Sequence, residues 1–430
     1  MGIKTKRFIA ARKSCSCSMP GVWRAVAYCE GTVVIFHSPK ACSHVARSMD
    51  INSHYSTLAE SKAESKRTVP LLSSCLQEKH SIFGGADELS RCIDFAVEKY
   101  QPECIVIANS CVAGVIGDDV ESVAVEAEQR HAVPVLTVDC YGFLDGEYYQ
   151  GYFEMATAVL KRFAEPQPKE ARTAVLLGDN GGPWGHYAVE VTRLLGYMGV
   201  KVIGQFPGYM SLKEIRELPR AEFAIVLGGR GLTGAGLEKL AAFLQESYDV
   251  KYIKGVYPVG TADTEKWLLE VGKLLRCEEK VAAVRDGELR RLRECVGRFL
   301  AVTENKRTVL CIGRWLMYFN PAVILEIIEF LKLDLAGVVL LDAYDEKTRA
   351  EMHDAIKQCS SAPVYDSVDG EKIISEAELI LTTHELQDRT AKQIFLPMLP
   401  KVGVAGEIEI MEVIYRALCS RMTGGGIIYA

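Results

Sequence analysis

Fourteen cysteines occur in the chain, yet no C-x-x-C is found anywhere. That absence excludes a zinc ribbon, a thioredoxin-type motif and a ferredoxin-type cluster loop, which all need closely spaced thiols. Any metal site built from these cysteines must draw them from distant segments. No G-x-x-x-x-G-K-[ST] is present, so the chain is not expected to hydrolyse ATP through a P-loop. H-E-x-x-H and G-x-S-x-G are missing too. No run of 18 uncharged apolar residues exists, which excludes a helical membrane span. Basic excess is also lacking. The formal net charge is −6 over 430 residues, which argues against nucleic acid as the main partner.

What is present is ordinary globular composition, 49% hydrophobic and 25% charged, at a length that suits two or three domains. Met1 to Lys13 carries five basic residues and no acidic one, and reads as a solvated tail. No apolar stretch follows it, so a cleaved leader is not expected. Lys6 stands where N-myristoylation needs Ser or Thr. A cytoplasmic protein is expected, and in a reducing compartment its cysteines are thiols or metal ligands rather than disulfides.

The chemistry concentrates at strand ends. Cys104 to Ala108 is an apolar run that reads as a buried parallel strand, broken at Asn109-Ser110, with Cys111 immediately after. A helical pattern starts near Asp118-Asp119, both read as helix caps. Thr32 to His37 is a second strand, followed by Cys42 and His44. Val133 to Asp139 is a third and delivers Cys140, while Cys15 and Cys17 lie upstream of all three. In an open α/β sheet the carboxyl edge is where ligands bind. A single cysteine is most often a small buried hydrophobe; several at equivalent strand ends suggest a shared site.

Pattern divides the chain into three Rossmann-like α/β domains in series, each with a parallel sheet: 1–165, 166–303 and 304–430. Ala164 to Ala171 is the first linker, and Asn52 to His80 reads as a surface loop with short helices. Strands are expected at 173–177, 201–205, 223–227 and 250–256 in the second domain. In the third they are expected at 309–312, 337–341, 363–365, 379–381 and 402–404. The tail from Arg421 reads as loose. The turn Gly178-Asp179-Asn180-Gly181-Gly182 is not G-x-G-x-x-G, so no dinucleotide is expected there.

Four segments together resemble a known family. They are Cys17-Ser18-Met19-Pro20-Gly21, Phe36-His37-Ser38-Pro39-Lys40-Ala41-Cys42, Phe83-Gly84-Gly85-Ala86-Asp87-Glu88-Leu89, and Ser110-Cys111-Val112-Ala113-Gly114-Val115-Ile116-Gly117-Asp118-Asp119. The chain resembles a nitrogenase component 1 type subunit, with the β-like members closer than the α-like ones. This superfamily includes nitrogenase α and β subunits, the cofactor-assembly scaffold and protochlorophyllide reductase-like subunits. The resemblance implies that Cys17, Cys42 and Cys111 hold an iron–sulfur cluster, either 4Fe–4S or a larger fused one of the P-cluster kind. The cluster would be shared at an interface with a homologous subunit, in a heterotetramer. Cys15 is the alternate for the first ligand. Cys140 is a candidate fourth, at a strand end where the family tends to carry a hydroxyl residue. Cys277 and Cys295 lie in charged helical stretches and His384 has no family-like context, so the cofactor ligands of the α subunit are not carried over.

Three functions follow as alternatives. The first is an oxidoreductase subunit that relays electrons from an ATP-dependent iron–sulfur reductase partner to a substrate or cofactor site. The second is a non-catalytic scaffold for maturing a nitrogenase-type cofactor. The third is a metal-free small-molecule binder with structural cysteines.

Overall fold

Three sets of β-branched and aliphatic runs form three sheets, and every strand pairing in them is parallel. The computed structural model describes residues 17–48, 68–141, 147–228, 231–313, 320–342, 344, 346–387, 391–397, 401–420 and 427–429. The fold is mixed α/β. Each of the expected ranges 1–165, 166–303 and 304–430 contains one sheet. By packing, the chain forms two units. One spans 14–255 and holds the first two sheets; the other holds 256–430 with the third.

In the first unit the chain runs α1 (Met19–Val26), β1 (Thr32–His37), α2 (residues 40–48), β2 (Leu71–Ser73), α3 (His80–Phe83), α4 (Ala86–Tyr100) and β3 (Cys104–Ser110). It continues through α5 (Cys111–Ile116), α6 (Val120–His131), β4 (Val135–Cys140) and α7 (Tyr148–Phe163). The first sheet has the order β2-β1-β3-β4. All residues of β1 and β3 are buried, which is why both read as continuous apolar runs rather than alternating ones. Val33, Ile35, Ile105 and Ile107 point to one face, where Leu89, Ile93 and Ala96 of α4 and Val120, Ala124 and Ala127 of α6 cover them. β2 falls inside the stretch expected to be loop, of which 52–67 lies outside the described residues. It escaped because it is only three residues long and follows Pro70. At an edge that proline serves well, since its carbonyl accepts from the Val34 N–H and no donor is needed.

α1 and α7 cross backbone against backbone. A Cβ on Gly21 would lie 1.9 Å from the Tyr148 carbonyl oxygen, and one on Gly151 would lie 2.4 Å from that of Ser18. Only glycine permits this approach, and it seats the start of α1, with Cys17 just before it.

The second sheet of the unit has the order β6-β5-β7-β8, from β5 (Glu170–Leu177), β6 (Lys201–Phe206), β7 (Ala221–Val226) and β8 (Lys251–Tyr252). Between them lie α8 (His186–Tyr197), α9 (Leu212–Glu217) and α10 (Gly231–Tyr248). The strand expected over 250–256 is only two residues long.

The second unit begins with α11 (Thr261–Leu275) and α12 (Glu278–Thr303). Its six-stranded sheet comprises β9 (Arg307–Ile312), β10 (Asp334–Leu340), β11 (Val364–Asp366), β12 (Leu379–Thr382), β13 (Lys392–Phe395) and β14 (Ile427–Tyr429), in the order β11-β10-β9-β12-β13-β14. Helices α13 (Pro321–Phe330), α14 (Glu346–Lys357), α15 (Glu371–Ser375) and α16 (Gly403–Cys419) complete it. Two expectations are corrected. Residues 402–404 are not a strand; Gly403, at φ 68°, opens α16. A three-residue apolar run does not distinguish a strand from the first turn of a buried helix. The tail is not all loose, because Ile427–Tyr429 pairs with β13, whereas 421–426 and 430 lie outside the described residues. Among the described residues, no helix is long and apolar enough to cross a membrane.

Candidate functional site

Register, more than sequence order, builds the site. His37 of β1 pairs with Asn109 of β3, and Asn109 with Asp139 of β4; one step on, Ser110 pairs with Cys140. The three strands therefore end level. The segments bearing Cys42, Cys111 and Cys140 leave the sheet at one carboxyl edge, which is the ligand edge of an open α/β sheet. Cys111 opens α5, where Ser110 accepts from the Ala113 N–H at 3.3 Å and Gly117, at φ 83°, closes the helix.

Cys17 is exposed, Cys42 and Cys111 are half-buried, and Cys140 is fully buried. Cys15 lies outside the described residues. Burial pushes the Cys42 thiol up, and the nearby Cys111 thiol adds to this. Cys140 is pushed up by burial, with Cys17, Glu154, Asp139 and Cys111 contributing. The four cysteines are thus within electrostatic reach of one another through the pairs Cys42–Cys111, Cys140–Cys17 and Cys140–Cys111. The Cys140 Sγ donates to the Val138 carbonyl at 3.6 Å. Among the described residues no three His, Cys, Asp or Glu side chains close around a point as they would for a single ion. A polynuclear cluster is wider than one ion, so separated thiols along one edge suit it. The donor set therefore fits an iron–sulfur group.

Behind the thiols lies a buried polar chain. His37 Nδ1 is 2.9 Å from Ser74 Oγ and His37 Nε2 is 3.0 Å from Asp118 Oδ2, with the His37 and Asp118 side chains 0% and 4% exposed. Ser74 Oγ accepts from the Ser38 N–H at 3.2 Å, and Asp118 Oδ1 accepts from the Gly85 N–H at 2.8 Å. Burial, which favours the neutral ring, pushes His37 down despite the opposing hydrogen bond to Asp118. Here the expectation for Asp118 is corrected. Asp119 alone caps α6, accepting from the Ser122 N–H at 3.0 Å, while Asp118 turns inward to His37 and Gly85. His37 is a structural histidine at a strand end, but one whose ring is hydrogen-bonded on both sides.

The glycine turn after β5 holds a second polar cluster. The Asp179 carboxylate accepts from Arg24 of α1 through Nε at 2.7 Å and Nη2 at 2.9 Å, and from the Tyr209 hydroxyl at 2.5 Å. Arg24 Nη2 also donates to the Tyr209 oxygen. Burial favours the neutral acid, but Arg24 outweighs it and holds Asp179 below the usual carboxylate range. Sequence reasoning missed this pair, since nothing local links positions 155 residues apart.

The other singled-out residues are structural in setting. His384 follows β12 with Nδ1 3.0 Å from Thr383 Oγ1. Cys277 sits at the N-cap position of α12, and Cys295 is buried, its sulfur accepting from Arg298 at 3.1 Å.

A family model for nitrogenase component 1 type oxidoreductases matches residues 17–418. The chain belongs to that family. It is 30% identical over 271 residues to the nitrogenase iron-molybdenum cofactor biosynthesis protein NifE of Clostridium pasteurianum, covering 60% of this chain and 55% of that protein. It is 27% identical over 327 residues to the Methanosarcina barkeri protein of the same name, covering 72% and 65%. With the nitrogenase molybdenum-iron protein alpha chain of M. barkeri it shares 27% over 204 residues, 46% of this chain and 36% of that one. The matched stretches thus span between a third and two thirds of these relatives. None of the three is a β subunit, so the closer β-type kinship expected from sequence finds no support among them. A solved structure entitled "Nitrogenase Cp1 at pH 6.5" superposes with a TM-score of 0.62 at 15% identity, covering 98% of this chain and 92% of that one, a likeness of fold.

Proposed function

We propose that the chain is a metal–sulfur-cluster-binding subunit of a nitrogenase-like assembly, with Cys17, Cys42 and Cys111 as its ligands and a homologous subunit of the same family as its partner. The observation that carries this is the level ending of β1, β3 and β4, which brings cysteines from separate segments to one sheet edge. When bound, the cluster supplies one-electron chemistry that no side chain here can provide. The chain's own residues hold the thiolates and set the hydrogen bonding around them. Cys140 lies near these thiols, but its own is fully buried and bonded to the Val138 carbonyl, so the partner subunit is the favoured source of a fourth ligand in this reading. An ATP-dependent iron–sulfur reductase is the electron donor in this reading, because the chain has no P-loop of its own.

A second reading is a scaffold for maturing a nitrogenase-type cofactor, and the kinship to cofactor biosynthesis proteins favours it. One experiment addresses both. The chain is co-expressed with its homologous partner and purified without oxygen. Iron, acid-labile sulfide and EPR are then measured, with Cys17→Ala, Cys42→Ala and Cys111→Ala alongside. Iron that disappears in each variant supports the ligand set. A cluster that a third protein can remove intact supports the scaffold, and one that only cycles in redox state supports the relay. Iron-free wild-type protein would refute both.

A further inference from the structure

Four motifs stand out in the sequence, three of them bearing thiols, yet two of the residue types they contain, glycine and aspartate, ligate nothing in the proposed site. The structure shows what joins them. The Ser38 N–H donates to Ser74 Oγ, the Ser74 hydroxyl faces His37 Nδ1, His37 Nε2 faces Asp118 Oδ2, and Asp118 Oδ1 takes the Gly85 N–H. Read as donors and acceptors this is one continuous chain. Asp118 as carboxylate only accepts, so His37 carries its proton on Nε2 and receives the Ser74 hydroxyl on Nδ1. Every member has a partner while the ring stays neutral. The chain ties four segments: the β1–α2 turn that leads to Cys42, the end of β2, the Gly84-Gly85 turn before α4, and the α5–α6 junction that leads back to Cys111.

Packing closes the network. A Cβ at Gly85 would lie 2.8 Å from Asp118 Oδ2, 2.3 Å from Leu76 Cδ2 and 3.2 Å from the His37 ring. A Cβ at Gly84, whose φ is 77°, would lie 3.2 Å from Asp118 Oδ1. The glycine pair is therefore the wall of a slot that fits one carboxylate and one imidazole.

We propose that His37 and Asp118 are positioning residues that hold the Cys42 and Cys111 thiols in register before any cluster is bound. This rests on the cluster reading for its purpose but not for its geometry. Neither residue is a ligand. Each fixes a backbone segment that delivers one, in the manner of the outer hydrogen bonds around metal sites, whose loss typically costs 10–100-fold in metal affinity.

The test uses the co-purified complex, first stripped of metal by a chelator and then treated with a short bis-maleimide. Peptide mass spectrometry reads the yield of the Cys42–Cys111 cross-link, with alkylation of the exposed Cys359 as internal standard. Asp118→Ala, which leaves the His37 and Gly85 N–H groups without an acceptor, is expected to lose most of the cross-link yield of wild type. Asp118→Asn, which keeps an acceptor for Gly85 and can hydrogen-bond the flipped tautomer of His37, is expected to restore most of it. In anaerobically purified protein, the iron EPR signal of Asp118→Ala should broaden or vanish while the fold is kept. Should Asp118→Ala fail to fold, His37→Ala carries the same test, because it removes the ring that links Asp118 to Ser74 and leaves the Asp118–Gly85 bond intact. A wild-type cross-link yield in a folded Asp118→Ala or His37→Ala variant overturns the proposal. Wild-type protein that binds no iron, with the cross-link still lost in Asp118→Ala, refutes the cluster reading while sustaining the positioning role.

Discussion

Replacing Gly21 with alanine tests the close crossing that seats Cys17. The added Cβ would lie 1.9 Å from the Tyr148 carbonyl oxygen and 2.9 Å from the Tyr152 nitrogen, all of it backbone. No side-chain rotation relieves such a contact, so α1 and α7 must part by more than about 1 Å to reach ordinary separation. Both helices are largely buried, with Met19, Val22, Trp23 and Val26 of α1 and Tyr152, Met155 and Ala156 of α7 in the core, so neither can swing freely into solvent. Overpacking of this kind costs about 1–3 kcal/mol and sometimes more, and a backbone clash belongs at the upper end. Alanine's better helix propensity returns about 1 kcal/mol. A net loss of about 2 kcal/mol is expected, which for a unit of this size lowers the melting temperature by about 4–8 °C. Gly287, mid-way along α12 with nothing within 4 Å of its would-be Cβ, is the control. Gly287→Ala should gain about 0.5–1 kcal/mol, from helix propensity and a less flexible unfolded chain. Thermal and urea unfolding followed by circular dichroism measure both. Gly21→Ala melting at or above wild type would refute the backbone-to-backbone crossing.

Three further outcomes are expected. Glu407 is fully buried beside Glu326 and takes a hydrogen bond from Thr261 at 2.5 Å; burial, then Glu326, raises it to about 9. A raised carboxyl contributes stability that is full below its unfolded value of about 4.3 and is lost as pH climbs toward about 9. Glu407→Gln should therefore gain on wild type steadily from pH 6 to 8.5 in urea melts, and parallel profiles would contradict this. Asp179→Ala removes the shared acceptor of Arg24 and Tyr209. With those acidic and basic side chains 28% and 13% exposed, a loss of about 2–3 kcal/mol is expected by urea titration. Because Asp179 is held below its usual value, its contribution in wild type is present above about pH 3.9 and falls away in acid, so the two unfolding curves should converge there. Cys140→Ser should keep the iron content of the complex, since the wild-type thiol is fully buried and bonded to the Val138 carbonyl; iron loss would instead make Cys140 a ligand.

The strands that build the site were legible because burial on both faces writes them as unbroken apolar runs, as in Cys104–Ser110. Their level ending was not legible in the same sense, since register depends on pairings between residues about 30 to 70 positions apart. Short elements failed for a related reason. β2, at three residues, and the 402–404 run each carry too few positions for a period to show, and the surrounding structure decides. The two aspartates illustrate the limit most sharply. Asp118 and Asp119 are chemically identical, adjacent, and both placed to cap α6. One does so, while the other is drawn inward by a buried histidine 81 residues away. A motif read along the chain locates the thiols because their chemistry sets them apart from every neighbour. It cannot tell which of its remaining residues bind and which merely hold, because holding is a relation between motifs. His37, Gly85 and Asp118 come from three of them, and each has a role only in the company of the others. For the same reason, substituting any one of them should disturb the delivery of both Cys42 and Cys111, whereas substituting either cysteine should leave the hydrogen-bond chain intact.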